Sequence, residues 1–558
     1  MVDQQRTERR PQFSNASIDG YAFKNLVEAG LTWLRTNQQL VNSLNVFPVP
    51  DGDTGTNMVL TMQAAVDEIE ESSERNAGMV AHELAHGALM GARGNSGVIL
   101  SQIWRGFARA IDRQEKIDAP SLSRAFAEAR DTAYKGVVRP VEGTILTVAK
   151  DVAIAALKSA NESNDPVQIL EAVVTAADAS VKTTPDLLPV LKEAGVVDSG
   201  GKGLFFILEG MLRYIYSQPL DSAVTTVQPL AAMNLEDTLE SIEPGQDYEV
   251  VVDFRPDKPL NLERFYGDLE KIGTSIQVGE GDGIYRMHIH VPTEKRYEPI
   301  DYTMSLGTIT KVAMENLLAQ MEDIDKSSRG SKLTLAPIEA GQIAVVAVAP
   351  GLGIARVFAS LGVAAIVEGG QTMNPSTQEI ISAFENLPTD SIVILPNNNN
   401  IIASAKSAAE LTVKKVAVIP SKSVPQGLAA MLRLAPRGEF NEIVAEMSEA
   451  IREVLTGEIT TATRAVEIDG ILCRQGQSIG LLDGNLVVAA NSVQEAVFGV
   501  LKKAPADEFE LITLFYGSDL AKNEVNRIVD AVRAAYPDQE FEVQEGGQPH
   551  YQFIISIE

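Results

Sequence analysis

Two aspartates in a loop framed by proline and glycine form the strongest chemical signal in the sequence. Asp51 and Asp53 flank Gly52, directly after Pro48 and Pro50. Proline fixes the backbone and glycine permits tight turns, so the two carboxylates can converge on one point. Mg²⁺ binds through one or two carboxylates and completes its shell with water and phosphate oxygens. The loop therefore predicts either a magnesium–phosphate site or a turn in which aspartate only caps the chain.

Polar segments that contain glycine open several helices of the same region. Thr54, Thr56 and the N–H groups after Gly55 stand at the start of a helix predicted over 57–66. Three further openings follow, at 91–97, 140–144 and 198–203. A helix N-terminus presents free N–H groups and a partial positive charge, so such openings bind anions. Four of them in one helical region predict a shared anion site rather than four independent caps.

Histidines form two further patterns that could hold a metal. His82 and His86 match the HExxH pattern of zinc proteases, but no clear third ligand follows, and we interpret them as surface or structural residues on a helix. His288 and His290 alternate along a predicted strand, so both point to one face. Glu249 could complete a metal site of two histidines and one carboxylate. Alternatively, the pair orients a substrate carboxylate or is structural.

The surrounding pattern predicts three domains, over 15–218, 245–325 and 338–558. The first is helical almost throughout, and a proline-containing linker follows it at 217–246. The second is a small α/β unit with strands at 249–254, 275–278 and 285–291, and helices at 260–272 and 308–321. After a polar linker at 325–331, apolar runs at 343–349, 364–367, 391–395 and 415–419 alternate with helices. This alternation predicts parallel βαβ units, followed by a β-rich stretch from 465 to the end.

Composition and charge exclude several classes of protein. A chain of 558 residues exceeds one hydrophobic core, which agrees with three domains. The net charge of −28 argues against a nucleic-acid partner or an anionic membrane surface. The single cysteine, Cys473, excludes an internal disulfide framework, and no apolar run is long enough to insert into a membrane, so we expect a cytoplasmic protein. Gly351 and Gly353 lie in a βα turn, but Arg356 stands where a dinucleotide motif needs glycine, so we predict no NAD site.

Long motifs resemble one known family, the ATP-binding subunit of bacterial fatty acid kinase. They lie at 45–58, 90–102, 141–148, 197–203, 369–376 and 546–551, so the resemblance covers nearly the whole chain. It implies a multidomain α and α/β chain. The N-terminal domain would be an antiparallel helical barrel like the nucleotide-binding domain of dihydroxyacetone kinases. A small α/β middle domain and an α/β C-terminal domain that docks a partner would follow.

The resemblance also implies a reaction and its cofactors. The family transfers the γ-phosphate of ATP to the carboxylate of a fatty acid presented by a DegV-type fatty-acid-binding protein, giving an acyl phosphate for phospholipid synthesis. Asp51 and Asp53 would hold two Mg²⁺ ions, with Asn45 near the position of a third ligand, and a homodimer is expected. The family associates the His288 and His290 pair with activity, so we assign it to substrate positioning. The expected nucleotide-binding residues are Thr54, Gly55, Thr56, Asn57, Met58, Asn95, Ser96, Gly97, Thr144 and Asp198.

Two other functions are weighed against this one. A dihydroxyacetone-type kinase traps its ketone on a histidine, but none of the five histidines matches that region. A nucleotide-sensing regulator without turnover has no need for the repelling carboxylates of Asp51 and Asp53. For a fatty acid acceptor, the carboxylate is already ionised at neutral pH, so no general base is assigned.

Overall fold

The computed structural model describes most of the chain. The described residues are 17–46, 52–70, 72–137, 139–220, 228–229, 247–281, 284–316, 333, 335–371, 373–462, 466–468 and 470–558. Asp51, one of the two predicted magnesium ligands, lies outside the described residues. The polar linker predicted at 325–331 and most of the linker predicted at 217–246 lie outside them too.

The N-terminal part is helical, as the sequence predicts. A two-residue strand, β1 (Ile18–Asp19), pairs antiparallel with β2 (Lys116–Ile117). The helices are α1 (Gly20–Thr36), α2 (Gln38–Ser43), α3 (Thr54–Glu70), α4 (Ala77–Met90), α5 (Gly94–Ala110), α6 (Ala119–Gly136), α7 (Ile145–Glu162), α8 (Pro166–Leu187), α9 (Pro189–Ala194) and α10 (Ser199–Ile215). Short polar residues start several of them, because a side-chain oxygen accepts a backbone N–H that the first turn leaves free. Asp19, Asn76, Asp118, Thr144, Asp165 and Asp198 act in this way.

These helices share one hydrophobic core. Each of α4 to α7 packs against the helix that follows it, and α1 packs against α10. A cluster of rings built from Phe23, Trp104, Phe107 and Phe126 occupies its centre, with neighbouring centroids 5.6 to 6.4 Å apart. Each buried aromatic side chain stabilises the fold by about 1.5–3 kcal/mol. This core fixes the ends of the helices, where the polar openings lie.

The middle part is a five-stranded sheet in the order β3-β5-β6-β4-β7. Its strands are β3 (Gln228–Pro229), β4 (Tyr248–Pro256), β5 (Thr274–Gly281), β6 (Ile284–Val291) and β7 (Gly307–Asn316), and its helices are α11 (Leu262–Leu269) and α12 (Glu298–Leu306). The helix predicted over 308–321 is wrong, because 307–316 forms β7, which pairs antiparallel with β4. The β-branched residues Thr308, Ile309, Thr310 and Val312 favour a strand, and β4 offers a free edge. The helix in this region is α12, which ends just before β7.

The C-terminal part begins with the predicted parallel sheet. Its strands are β8 (Ile343–Ala349), β9 (Ala365–Glu368), β10 (Ser391–Leu395) and β11 (Lys415–Val418), in the order β11-β10-β8-β9. All three strand pairs are parallel, which confirms the βαβ prediction. All seven residues of β8 are buried, as expected for a central strand covered on both faces. The helices between and after these strands are α13 (Leu352–Ser360), α14 (Thr377–Phe384), α15 (Ile402–Glu410), α16 (Val424–Met431) and α17 (Phe440–Ala450).

A second sheet of six strands completes this part, in the order β16-β15-β12-β19-β17-β18. The strands are β12 (Leu455–Thr461), β15 (Ser478–Leu482), β16 (Asn485–Ala490), β17 (Leu511–Tyr516), β18 (Glu540–Glu545) and β19 (Tyr551–Ile557), with a hairpin of β13 (Val466–Ile468) and β14 (Ile471–Cys473) and helices α18 (Val493–Lys503) and α19 (Lys522–Ala535). The predicted β-rich stretch therefore begins earlier, at Leu455, and contains two helices.

Close packing explains the glycines of the βα turn after β8. A Cβ at Gly353 would lie 1.7 Å from the backbone oxygen of Glu545, and one at Gly351 would lie 2.6 Å from the backbone of Gly546. Both glycines therefore let two loops of the C-terminal part touch. In the described ranges, no helix combines the length and the apolar character needed to cross a bilayer.

Candidate functional site

The described end of the aspartate loop lies at the start of α3, earlier than the predicted helix start at Asn57. Asp53 is buried and its backbone oxygen accepts the N–H of Asn57 at 2.9 Å. Thr54 is the first residue of α3 and is also buried. Asn45, the predicted third metal position, is buried just after α2. Asp53 and Asn45 are thus both withdrawn from bulk water, which strengthens the interaction of their oxygens with a cation.

Helix α2 holds the first turn of α3 in place. Thr56 Oγ1 accepts hydrogen bonds from Gln38 and from Asn42, each at 3.0 Å, and the N–H of Thr56 donates to Asn42 at 3.1 Å. A Cβ at Gly55 would lie 2.4 Å from the backbone oxygen of Gln38, so glycine permits the close approach. The side chain of Met58 is fully buried in the hydrophobic core. This side chain therefore packs in the core, and the nucleotide contact expected of Met58 stays a prediction.

The glycine-rich opening of α5 packs against α3. Gly94 has a φ of +57°, which glycine adopts without strain. A Cβ at Gly97 would lie 2.3 Å from Thr61 Oγ1, and one at Gly94 would lie 2.7 Å from Asn57 Nδ2. Small residues at these positions therefore bring the start of α5 beside the start of α3.

The opening of α7 is fixed by the carboxylate of Glu142. This carboxylate accepts hydrogen bonds from Tyr134 at 3.0 Å, Thr147 at 2.7 Å and Lys150 at 2.6 Å. These donors, led by the Lys150 ammonium, lower the pKa of Glu142 below its ordinary value. The loop that it anchors leads to Thr144, the N-cap of α7.

Asp198 connects the openings of α7 and α10. Its carboxylate accepts the N–H of Gly201 at 2.6 Å and also a hydrogen bond from the backbone of Ile145. Burial raises the pKa of Asp198 to about 7, although both backbone donors oppose the rise. The next residue, Ser199, donates to Thr54 Oγ1 at 3.2 Å, which ties α10 to α3.

Three of the four predicted openings meet in one cleft of about 970 Å³, and the fourth is tied to it through Thr54. Asn95, Ser96, Thr144 and Asp198 all line this cleft, as the sequence predicts. Its basic lining residues are Arg105, Arg109, Lys135, Arg139 and Lys406. The helix N-termini and these cations create a positive site in a chain of net charge −28. The cleft has the volume and polarity for a polyanionic ligand such as a nucleotide.

The C-terminal part supplies one wall of this cleft, which the sequence did not indicate. Asn399, Ile402, Ala403, Lys406, Ser407 and Glu410 line it from α15 and the loop before it. Asn95 donates to Asn400 at 3.1 Å across the same boundary. Only contacts between residues about 300 positions apart reveal this wall, so no local pattern could have found it.

A second site lies in the middle part, where Glu249, His288 and His290 converge. Their potential ligand atoms all lie within 4.8 Å of one another, and all three residues are buried. His288 Nε2 is 3.0 Å from Glu249 Oε1, but the direction does not suit a hydrogen bond, and the described residues give neither histidine ring a hydrogen-bond partner. Burial and the neighbouring His288 lower the pKa of His290 to about 4. Two imidazole rings beside a carboxylate form a donor set for a transition metal.

This burial argues against the predicted substrate-positioning role of the pair. The exposed fractions of His288 and His290 are 0% and 2%, so neither ring faces an open cleft. By contrast, His82 and His86 are exposed on α4, and His86 contacts Glu68 at 3.3 Å. Among the described residues, only Glu249, His288 and His290 form a group of three His, Cys, Asp or Glu side chains with converging ligand atoms, so the HExxH match keeps the surface interpretation that we favour.

Comparisons with known proteins match three successive segments of the chain. The DAK2 domain matches residues 48–213, the middle domain of FakA-like fatty acid kinase proteins matches 243–324, and their C-terminal domain matches 344–558. An uncharacterized protein of Staphylococcus aureus (strain MRSA252) is 36% identical over 551 residues, covering 97% of this chain and 100% of the relative.

Solved structures give weaker likenesses. Dihydroxyacetone kinase from C. freundii, in complex with AMP-PNP and Mg²⁺, is 18% identical over 38% of this chain and 35% of that chain, with a TM-score of 0.28. DegV, a fatty acid binding protein from Bacillus subtilis, is 13% identical over 39% of this chain and 98% of that chain, with a TM-score of 0.30. Scores of this size do not establish a shared fold.

The family models and the full-length relative together identify the chain. DAK2 and FakA-like domains indicate an ATP-dependent phosphotransferase. These domains follow one another along the chain, and the staphylococcal relative spans nearly all of it. The chain belongs to the FakA-like family of fatty acid kinase proteins.

Proposed function

We propose that the chain is the catalytic subunit of a fatty acid kinase. The observation that carries this proposal is the meeting of several helix N-termini and basic side chains in one cleft, which the hydrogen bond from Ser199 to Thr54 ties to the start of α3, directly after the buried Asp53. ATP would lie in the cleft, and Mg²⁺, expected as two ions, would bind at Asp53, Asp51 and Asn45. The helical part would then be of the antiparallel barrel type.

Phosphoryl transfer needs positioning and charge neutralisation more than proton chemistry. The magnesium ions neutralise the phosphate oxygens when they are bound. Ser96, Thr144 and the free N–H groups of their helices would hold the triphosphate in place. An oxygen of the fatty acid carboxylate attacks the γ-phosphorus, the bond to the β-phosphate oxygen breaks, and ADP leaves. No proton is exchanged, so the site needs no general base.

The acceptor would arrive on a second protein. Among the described residues, the apolar cavity inside the helical core holds only about 50 Å³ of free space, far too little for a long acyl chain. We propose that a DegV-type protein carries the acyl chain and presents its carboxylate at the mouth of the cleft. The C-terminal part would dock this partner, and two copies of the chain would form a homodimer in the cytoplasm.

An assay for acyl phosphate tests this function directly. The protein is incubated with Mg·ATP and a long-chain fatty acid, with and without a DegV-type partner. We expect product only with the partner, and a loss of at least about 100-fold in Asp53→Asn. Asp186→Asn removes an exposed carboxylate of the same helical part and serves as the matched control. ATP binding without acyl phosphate formation, tested with several partners, would instead favour a nucleotide-sensing regulator or another acceptor.

A separate metal site at Glu249, His288 and His290 is favoured by their convergence. We propose that it holds Zn²⁺ or another first-row divalent ion in a structural role. Metal analysis of the purified protein should give one such ion per chain, and His290→Gln should remove it. His86→Gln changes an exposed histidine and should keep it. Equal metal content in all three proteins would refute the site.

A further inference from the structure

One residue of the C-terminal part reaches the aspartate of the proposed magnesium site. Asn374 Nδ2 donates a hydrogen bond to Asp53 Oδ2 at 2.5 Å, although 321 residues separate the two in sequence. The exposed fractions of Asn374 and Asp53 are 3% and 8%. A hydrogen bond to a carboxylate in such a buried place is strong and directional, because water does not compete for it.

The loop that carries Asn374 is clamped to the helical part on both sides of this contact. Arg93 donates to the backbone oxygen of Asn374 at 2.9 Å and forms an ion pair with Glu379 at 3.1 Å. The N–H of Thr377 donates to the backbone oxygen of Ala92 at 3.3 Å. These contacts hold the backbone of the loop, so the side chain of Asn374 has little freedom to leave Asp53.

The position of this loop in the fold also points to a ligand. It follows β9, and the loop that carries Asn400 follows β10, so both lie at the carboxyl edge of the parallel sheet. Ligand sites of open α/β sheets lie at that edge. Here the edge faces the openings of α3 and α5. The loop of Asn374 donates a hydrogen bond to Asp53, and the loop of Asn400 accepts one from Asn95.

The second polar atom of the Asn374 side chain is unused. Among the described residues, Oδ1 of Asn374 is buried and has no hydrogen-bond partner. A buried amide oxygen without a partner is unfavourable unless a ligand completes it. A group that donates hydrogen bonds, such as a water bound to a metal ion, satisfies this oxygen. The donor set of Asp53 and Asn374 therefore suits a hydrated Mg²⁺.

We propose that Asn374 is a positioning residue of the phosphoryl-transfer site, whose amide holds Asp53 in the orientation that binds Mg²⁺. This inference rests on the proposed kinase function and extends it, because the C-terminal part then completes the magnesium site of the helical part within one chain. Groups that orient a metal ligand typically change metal affinity by about 10- to 100-fold when they are removed.

The test measures how nucleotide binding depends on magnesium. AMP-PNP binding to the full-length protein is measured by calorimetry at stepped Mg²⁺ concentrations. In Asn374→Ala, we expect the Mg²⁺ concentration for half-maximal binding to rise about tenfold. The affinity at saturating Mg²⁺ should fall less than about threefold, because the helix N-termini still bind the phosphates.

Gln378→Ala is the matched control, because it changes an exposed side chain in the first turn of the helix after the same loop and leaves the contacts of Asn374 with Asp53 and Arg93. It should keep the wild-type Mg²⁺ dependence. An unchanged dependence in Asn374→Ala, or an equal shift in both variants, would overturn the positioning role while the kinase proposal stands. No Mg²⁺-dependent binding in the wild type would overturn the kinase proposal itself.

A second variant covers the case in which Asn374→Ala fails to fold. Asn374→Asp places a second carboxylate beside Asp53, and two such charges repel unless a cation lies between them. The thermal midpoint without Mg²⁺ should fall below that of the wild type, and added Mg²⁺ should raise it more than it raises the wild-type midpoint. Equal responses to Mg²⁺ in the two proteins would contradict the proposal.

Discussion

Replacing Asp198 by asparagine should make the helical part more stable at pH 8, and this gain should be smaller at pH 5.5. The carboxylate of Asp198 is 5% exposed, and burial raises its pKa to about 7 from an ordinary value of 3.8. Between these two values, the folded state holds a proton that the unfolded state has lost. Stability therefore falls as the pH rises through this window and levels off above pH 7. Asparagine caps a helix as well as aspartate does and carries no charge.

The size of the effect follows from the pKa of Asp198. The interval from pH 5.5 to the folded-state pKa of Asp198 spans roughly 1.5 pH units. Over this interval, the free energy of unfolding of the wild type falls by about 2 kcal/mol. Asp198 lines the cleft, and solvent screening there reduces this figure, so we expect about 1–2 kcal/mol. The free energy of unfolding of Asp198→Asn, relative to the wild type, should rise by this amount from pH 5.5 to pH 8. The two pH values of this comparison both lie above the isoelectric point of the chain, which is near 4.7.

The chain offers a selective probe for this measurement. Its two tryptophans, Trp33 on α1 and Trp104 on α5, both lie in the helical part and are buried. Urea unfolding followed by tryptophan fluorescence therefore reports on that part alone. Asp186→Asn, at an exposed position, is the control. A difference between Asp198→Asn and the wild type that stays constant within about 0.5 kcal/mol across this pH range would refute the reasoning.

Three further substitutions test other parts of the structure. Gly97→Ala should destabilise the helical part by about 1–3 kcal/mol, because its Cβ would lie 2.3 Å from Thr61 Oγ1; in the tryptophan-fluorescence assay, stabilisation would contradict this packing. Lys406→Ala should weaken AMP-PNP binding about three- to tenfold at low salt, measured by calorimetry, because Lys406 is a basic residue of the cleft. Unchanged affinity would show that this residue of the C-terminal part does not contribute to nucleotide binding. Arg286→Met should lower the free energy of unfolding of the middle part by about 3 kcal/mol, followed by circular dichroism. The substitution leaves Asp253 buried without the guanidinium that now lies 2.6 Å away, and a loss below about 1 kcal/mol would refute this reasoning.

Local patterns in the sequence predicted the helical part and its polar openings well. Asp198 and Thr144 cap helices as their residue types indicate, and Ser96 and Asn95 reach the same cleft. The parallel strands of the C-terminal part were also readable, because buried strands such as β8 are continuous apolar runs. The middle part was harder. The pattern from Thr308 predicts a helix, but the segment pairs with β4 and forms a strand, which is a tertiary effect.

The histidine pair shows where sequence reasoning stops. Its alternation correctly predicts that His288 and His290 share one face of a strand, and both lie close to Glu249 on the neighbouring strand. Alternation cannot tell whether that face is open to a substrate or buried. Burial depends on what covers the sheet, and the structure shows that both rings are enclosed. The enclosed rings therefore favour the proposed metal site, and substrate positioning stays an untested prediction.

The largest gap concerns residues that belong to the site but lie far away in sequence. Asn374 stands before a proline and two residues before a helix cap, so its local pattern describes only the start of α14. The contact of Asn374 with Asp53 exists only in the folded chain, where the loop after β9 packs against the start of α5 and places the Asn374 amide beside Asp53. A site built in this way depends on the arrangement of two parts of the chain. If Asp53 holds magnesium as proposed, a partner that binds the C-terminal part changes magnesium binding there without touching the helical part, by moving a single loop.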